Sequence, residues 1–372
     1  MKWQFEMKKR TLLQELLQMS LIKRDKLSCV PSVEEWNGMY EVARLHGIAG
    51  FLFGGIERLP KEQQPQRQLL MMWFGLAEHY RRVYAKQRQA VKSLNELWGA
   101  QGLRIVELKG DAIGRLYPKP ELRYSCDYDC LLSDYEEGNR IVERQGVKVN
   151  REFYKNSSFV WDGLHVENHQ FCTPIRGNRA MKRFEKVLRQ LLAKDKMTDF
   201  NALFLMEHMW AHFFEEALTL KQMTDWLVFY KEYKDAVDWS LFEAVAKDCG
   251  FWRFSITIIK IADNILSGSS DMSGLTAIEE RLWLGIMQGG GEIGMNNGWN
   301  TRFQLVANYF RNGWKYKYYA PHGPIGSLVR TVIGFAFVRN PKLCFLIMGV
   351  VYRMIPFLTL LFYGISFFKK II

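Results

Sequence analysis

After Glu292 the 372-residue chain contains no aspartate and no glutamate. Those last 80 residues nonetheless carry ten Lys or Arg, from Arg302 to Lys370. About ten of the twelve excess positive charges of the whole chain therefore lie in one segment. Such a local excess calls for a local anionic partner, a membrane surface or a nucleic acid. Cysteine is also sparse. Six residues (Cys29, Cys126, Cys130, Cys172, Cys249 and Cys344) are scattered, with no C-x-x-C pair. That excludes a disulfide scaffold, and the Cys126/Cys130 spacing has no second pair to complete a zinc site. A reduced, cytoplasmic chain is expected. The N-terminal stretch "MKWQFEMKKRTLLQELLQ" lacks the apolar core of a cleaved leader, because charges run through it. There is no internal repeat. A hydrophobic content of 48% with 24% charged residues excludes a disordered or fibrous chain.

What is present reads as four regions. Residues 1–102 are helical by periodicity, with "TLLQELLQMSLI", "SVEEWNGMYEVARLHGIAGFLF" and a long helix ending at Gly102. Ser32 and Glu35 form a capping-box match before the second of these. At Leu103 the pattern changes, and residues 103–175 read as a small sheet. "LRIVEL" is a strand, Lys109-Gly110 a tight turn, and a short helix starts near Asp111. "CDYDCLL" is the second strand, and Ser133 with Glu136 predicts the next helix start. "VKVNREFY" and "SSFVWDGLHVENHQFC" alternate with period two, and Asp162-Gly163 marks a hairpin. Residues 176–292 return to helix. Residues 293–372 form a basic, apolar tail. The expected class is α+β: a small mixed sheet embedded between N-terminal and C-terminal helical regions.

Asp127 and Asp129 sit two apart within an otherwise apolar strand, so both project from one face. Two carboxylates this close repel, and a divalent cation resolves the repulsion. Mg²⁺ takes hard oxygen ligands, commonly a few carboxylates with substrate phosphates. In "GLHVENHQF" the alternation puts His165, Glu167 and His169 on one face. If that strand lies beside Asp127–Leu132, Glu167 completes a three-carboxylate site able to hold two ions for in-line displacement at phosphorus. Upstream, Gly110 lets backbone approach a phosphate, the following helix start points N–H groups at it, and Lys109 adds a point charge. Arg123 is placed either to pair with a triphosphate or to brace the carboxylates. His208 and His212 share a helix face, but no third ligand follows at zinc spacing, so a packing or hydrogen-bonding role is expected. Asp225 is read as orienting substrate or as capping a buried cation.

These motifs carry a resemblance. "LKG", then "YP", then "R-x-x-x-D-Y-D-x-L-L" resembles the uncharacterised bacterial nucleotidyltransferase family of the polymerase-β-like superfamily. The family's Lys-Gly turn, paired acids and third acid before a His fall on Lys109-Gly110, Asp127, Asp129 and Glu167. His212 and Asp225 also match its pattern. The resemblance runs from about Trp36 to Tyr233. It implies transfer of a nucleoside monophosphate from an NTP to an acceptor hydroxyl, small molecule or macromolecule, with two Mg²⁺ ions on Asp127, Asp129 and Glu167. Lys109, Gly110 and Arg123 would bind the nucleotide. One departure is plain: Gly110 is followed by Asp111, where the superfamily has a phosphate-contacting serine. A degenerate, non-catalytic scaffold is the alternative this raises.

The tail segment "LCFLIMGVVYRMIPFLTLLFYGISFF" has one charge, Arg353, and is interrupted by Pro356. Neither half reaches the ~20 apolar residues of a spanning helix. Flanking basic and aromatic residues fit an anchor at an anionic membrane surface, peripheral at the inner face. A nucleic-acid partner is not expected, because so much of the tail is aliphatic.

Overall fold

The computed structural model describes residues 2–22, 24–151, 154–173, 179–215, 218–269, 272, 274–287 and 313–320. The chain divides into two compact units. The first is Met1–Asp248 with Phe254–Glu292, and the second is Cys249–Arg253 with Ile293–Ile372. The described part of the tail is one short helix, Gly313–Tyr319. The membrane-anchor reading of the apolar segment lies outside the described residues.

The first unit opens with α1 (Lys2–Leu21), α2 (Val33–Leu45), α3 (Ala49–Ile56) and the 33-residue α4 (Arg67–Gly99). Ser32 and Glu35 form the expected capping box on α2. Just past α4, Gly102 turns at φ +76°, a left-handed conformation that costs glycine little. The sheet follows: β1 (Ile105–Glu107), β2 (Asp127–Leu132), β3 (Asn156–Trp161) and β4 (Leu164–His169). Its order is β1-β2-β4-β3. β2 and β4 are parallel, and the two outer pairs are antiparallel. The sheet is thus mixed, as expected. The parallel β2–β4 pair needs a crossover, supplied by α6 (Tyr135–Arg144). The β3–β4 hairpin turns on Asp162 and Gly163, at φ +47° and +76°, as a two-residue turn of this type requires.

One sheet face is the core. Tyr128, Cys130 and Leu132 of β2, with Leu164 and Val166 of β4, pack against Val91, Leu94 and Trp98 of α4 and Ile141 and Val142 of α6. Residues 91, 94 and 98 recur at helical spacing, which aims one stripe of α4 at the sheet. Trp98 is fully buried and donates its Nε1–H to the Gly138 carbonyl at 3.1 Å. A Cβ at Gly138 would lie 2.1 Å from Leu132 Cδ1, so any larger residue there would displace the Leu132 side chain. Because side chains alternate across a strand, burying Tyr128 and Cys130 here turns Asp127 and Asp129 to the opposite face.

Helices α7 (Arg179–Ala193), α8 (Met197–Glu215), α9 (Leu220–Tyr233), α10 (Trp239–Cys249), α11 (Trp252–Leu266) and α12 (Ala277–Met287) complete the described helices before the tail.

Several local expectations are corrected. The strand read over 103–108 contracts to three residues. Helix α5 (Lys109–Gly114) begins at Lys109 rather than near Asp111, and Lys109 itself takes the bend at φ +36°. At six residues α5 contributes little macrodipole. Asp134, not Ser133, caps α6, accepting from Glu137 N–H, while Ser133 Oγ accepts from Arg104 N–H. The "VKVNREFY" stretch forms no strand among its described residues. Only Asn150 bridges, to Ser158.

Candidate active site

Strand register builds the site. In the parallel pair, Asp127 stands opposite His165 and Asp129 opposite Glu167. Across the hairpin, His169 pairs with Asn156. Asp129, Glu167 and His169 therefore project from one face of adjacent strands, and their ligand atoms all lie within 4.8 Å of one another. Asp129 is 4% exposed, and Glu167 is half-buried. His169 Nε2 is 2.8 Å from Asp129 Oδ1 and 3.4 Å from Glu167 Oε2. Lys109 Nζ donates to the same Asp129 oxygen at 3.0 Å.

The charges hold one another in place. Burial alone would raise the Asp129 pKa. The Lys109 ammonium and the His169 hydrogen bond outweigh it and keep the carboxyl below its ordinary range. Burial likewise works against the Lys109 charge, and Asp129 reverses that, so Lys109 stays protonated with a raised pKa. The Glu167 pKa is lowered, chiefly by its hydrogen bond to His169. The trio is thus an anionic nest whose buried carboxylate, Asp129, already takes a cation. Two carboxylates and an imidazole nitrogen at this spacing suit a divalent metal ion.

The other expected site residues fall around this nest. Asp127 begins β2 on the same face, half-buried, with Cys126 Sγ 3.7 Å from its Oδ1. It is not part of the close trio. Gly110 packs beside Arg123, whose Nη1 would lie 3.6 Å from a Cβ there. Arg123 itself is 7% exposed and makes a bidentate pair with Asp225, Nε–Oδ1 and Nη2–Oδ2 both 2.8 Å. Tyr117 Oη donates to Asp225 at 2.6 Å. Of the two readings of Arg123, this geometry is that of a brace, tying the loop before β2 to α9. Asp225 caps that buried cation. His208 and His212 stack edge to face, 4.4 Å between centroids, and belong to no metal-capable group among the described residues. Burial, with Lys109 next, pushes the His208 pKa well down, so its ring is neutral.

Three functional candidates escaped the sequence reading. His169 carried a signal, since alternation places it on the face of Glu167, yet it was not selected as a ligand. Lys221 stands one helical turn before Asp225 on α9, a spacing that marks a shared face. Its pKa is lowered by burial and by Arg123, while Asp225, Cys126 and Asp127 act in the opposite sense. Lys155 precedes β3, and its carbonyl accepts from Gln170 N–H at 2.8 Å, just past His169. Burial and then Lys109 lower its pKa. No local pattern announced Lys155, because the charges around it come from α5, α8, β2 and β4.

Among the described residues no helix is long and apolar enough to cross a membrane. No curated protein and no solved structure matches the chain. The family model described as an uncharacterised nucleotidyltransferase matches residues 32–267, more than half of the sequence. That stretch contains both strands of the acidic nest, the Lys109 turn and the α9 brace, and by this match the chain belongs to the uncharacterised nucleotidyltransferase family.

Proposed function

We propose that the protein is a metal-dependent nucleotidyltransferase that moves a nucleoside monophosphate from an NTP to an acceptor hydroxyl and releases pyrophosphate. The observation that carries this reading is the parallel β2–β4 register, which sets Asp129 beside Glu167 on the face away from the core. A bound divalent cation, Mg²⁺ in the simplest case and two ions if Asp127 also ligates, supplies charge neutralisation at the phosphoryl group. Asp129 is the buried anchor of that site, and Glu167, with 29% of its side chain exposed against 3% for Asp129, is the carboxylate nearer the acceptor. Lys109, Lys155 and Lys221 surround the acids with positive charge suited to a triphosphate. Arg123 and Gly110 shape the turn that carries Lys109. The helices from α7 onward would form the walls on the acceptor side.

Purified protein, α-labelled NTP, Mg²⁺ and a cell extract as acceptor source test the reading. Label should transfer to a discrete species and disappear with Asp129→Asn and Glu167→Gln protein. Label that persists at full level in both variants refutes the assignment. A second reading, a degenerate scaffold, has one specific observation behind it: Asp111 stands where the superfamily has its phosphate-contacting serine. For the tail, residues 293–372, we infer contact with an anionic membrane surface from its ten cations and no acids.

A further inference from the structure

The Mg²⁺ reading treats the cation site as oxygen-lined. We propose instead that His169 is a metal ligand through Nε2, and that the resulting imidazole–carboxylate set selects a first-row transition-metal ion over Mg²⁺. This rests on the nucleotidyltransferase reading for the presence of a metal, but not for the identity of the donors.

Three features of His169 support it. The first is spacing. With metal–ligand bonds of about 2.1 Å, neighbouring ligand atoms stand ~3 Å apart. Nε2 lies 2.8 Å from Asp129 Oδ1 and 3.4 Å from Glu167 Oε2, so the nitrogen already stands at ligand separation from both carboxylates. The second is the far side of the ring. Nδ1 faces the Phe171 carbonyl at 3.4 Å, and a metal-binding imidazole usually donates its other N–H to such an acceptor, which fixes its tautomer and orientation. The third is rigidity. His169 is 1% exposed and lies in register between Leu131 of β2 and Asn156 of β3. A ring held this deeply does not reach an exposed acceptor.

Nε2 faces both carboxylates, Asp129 at 2.8 Å and Glu167 at 3.4 Å. As a ligand, Nε2 would present its lone pair to the metal while Nδ1 would carry the N–H and donate it to the Phe171 carbonyl. Imidazole nitrogen favours first-row transition ions, whereas Mg²⁺ prefers oxygen throughout, and this difference is the source of selectivity.

Mn²⁺ alone, and Mn²⁺ with a non-hydrolysable ATP analogue, serve as probes on the full chain. Electron spin-echo spectroscopy should show ¹⁴N coupling from a directly bound imidazole, replaced by a ¹⁵N pattern when the protein is made with ¹⁵N-histidine. His169→Gln should abolish the coupling and weaken Mn²⁺ binding at least about tenfold. Mg²⁺ affinity, read by competition, should change by less than about threefold, since glutamine still offers an oxygen. His208→Gln should leave the coupling intact, which separates the two nearby rings. Labelling needs no substitution, so the result stands even if a variant fails to fold. Mn²⁺ bound with no imidazole coupling overturns the proposal while leaving the transferase reading in place. No Mn²⁺ binding, with or without nucleotide, overturns both.

Discussion

Asp129 is buried, ionised and approached by two nitrogens on one oxygen, whereas Glu167 is half-open with His169 Nε2 3.4 Å from its Oε2. The two acids therefore respond differently to substitution. Glu167→Gln removes a charge from a half-open site. Label transfer is expected to fall at least about 10²-fold, a typical loss for an acid or base acting at the reacting group. The melting temperature should stay near that of the parent, and a large drop in stability would reassign Glu167 to a structural role. Asp129→Asn also abolishes transfer, but it leaves Lys109 without its counter-ion in a largely buried setting, so destabilisation accompanies the loss. Arg123 makes a contrasting case. Asp225→Asn breaks a buried bidentate pair, and a cost of about 3–5 kcal/mol in urea unfolding is expected. Replacing both partners, Arg123→Met with Asp225→Leu, together with Tyr117→Phe to remove the hydroxyl that donates to Asp225, should recover most of it. If this combined variant regains stability and keeps its KM for NTP within a few-fold, Arg123 is a brace. A selective rise in KM would make it a nucleotide contact.

At the scale of elements, two buried polar contacts are among those that tie α9 to earlier parts of the unit. One is the Arg123–Asp225 pair. The other is His46, just after α2, whose Nδ1 accepts the Leu220 N–H at the start of α9 at 2.9 Å. His46 is 4% exposed, and burial depresses its pKa to about 4 from an ordinary 6.5. The sign follows directly. Between those values the unfolded chain binds a proton that the folded chain does not, so stability falls as pH drops from 6.5 towards 4 and levels off below. A shift of this size corresponds to about 3 kcal/mol. Unfolding at pH 7.5, 5.5 and 4.5 should show this decline, and His46→Gln, which keeps an acceptor for Leu220 but does not titrate, should flatten it. An equally steep decline in the variant would assign the acid sensitivity to other groups. The elements also show why some sequence expectations moved. Asp134 rather than Ser133 caps α6 because Ser133 is taken up by Arg104 across the β1–β2 edge. That competition is tertiary, and a local capping-box match does not register it.

For the whole molecule the sharpest question is whether the site engages nucleotide. A ligand at a hundred times its Kd stabilises the folded state by about 2.7 kcal/mol, so Mg²⁺ or Mn²⁺ with non-hydrolysable ATP should raise the melting temperature, and Asp129→Asn should abolish the shift. No shift with any NTP favours the scaffold reading raised by Asp111. The tail makes a separate prediction. Full-length protein should co-sediment with vesicles containing anionic lipid more than with neutral ones, and added salt should weaken the difference. Equal sedimentation with both would remove the electrostatic account.

Sequence alone determined the class of the fold and most of its signals. Periodicity distinguished helix from strand, Asp162-Gly163 marked the hairpin, Ser32 and Glu35 marked a helix start, and the alternation around Tyr128 and Val166 put the acids on the face away from the core. These are local properties, set by a side chain's own backbone position and its immediate neighbours. Which strands lie side by side is not local. Only the crossover through α6 set β2 parallel to β4, with Asp129 opposite Glu167, and only that register brought His169 and Lys109 onto a single carboxylate oxygen. Lys155, Lys221 and the Arg123–Asp225 brace likewise gained their meaning from residues distant in the chain. A buried charge is defined by what desolvates and pairs with it, and those partners are chosen by the packing of the whole unit.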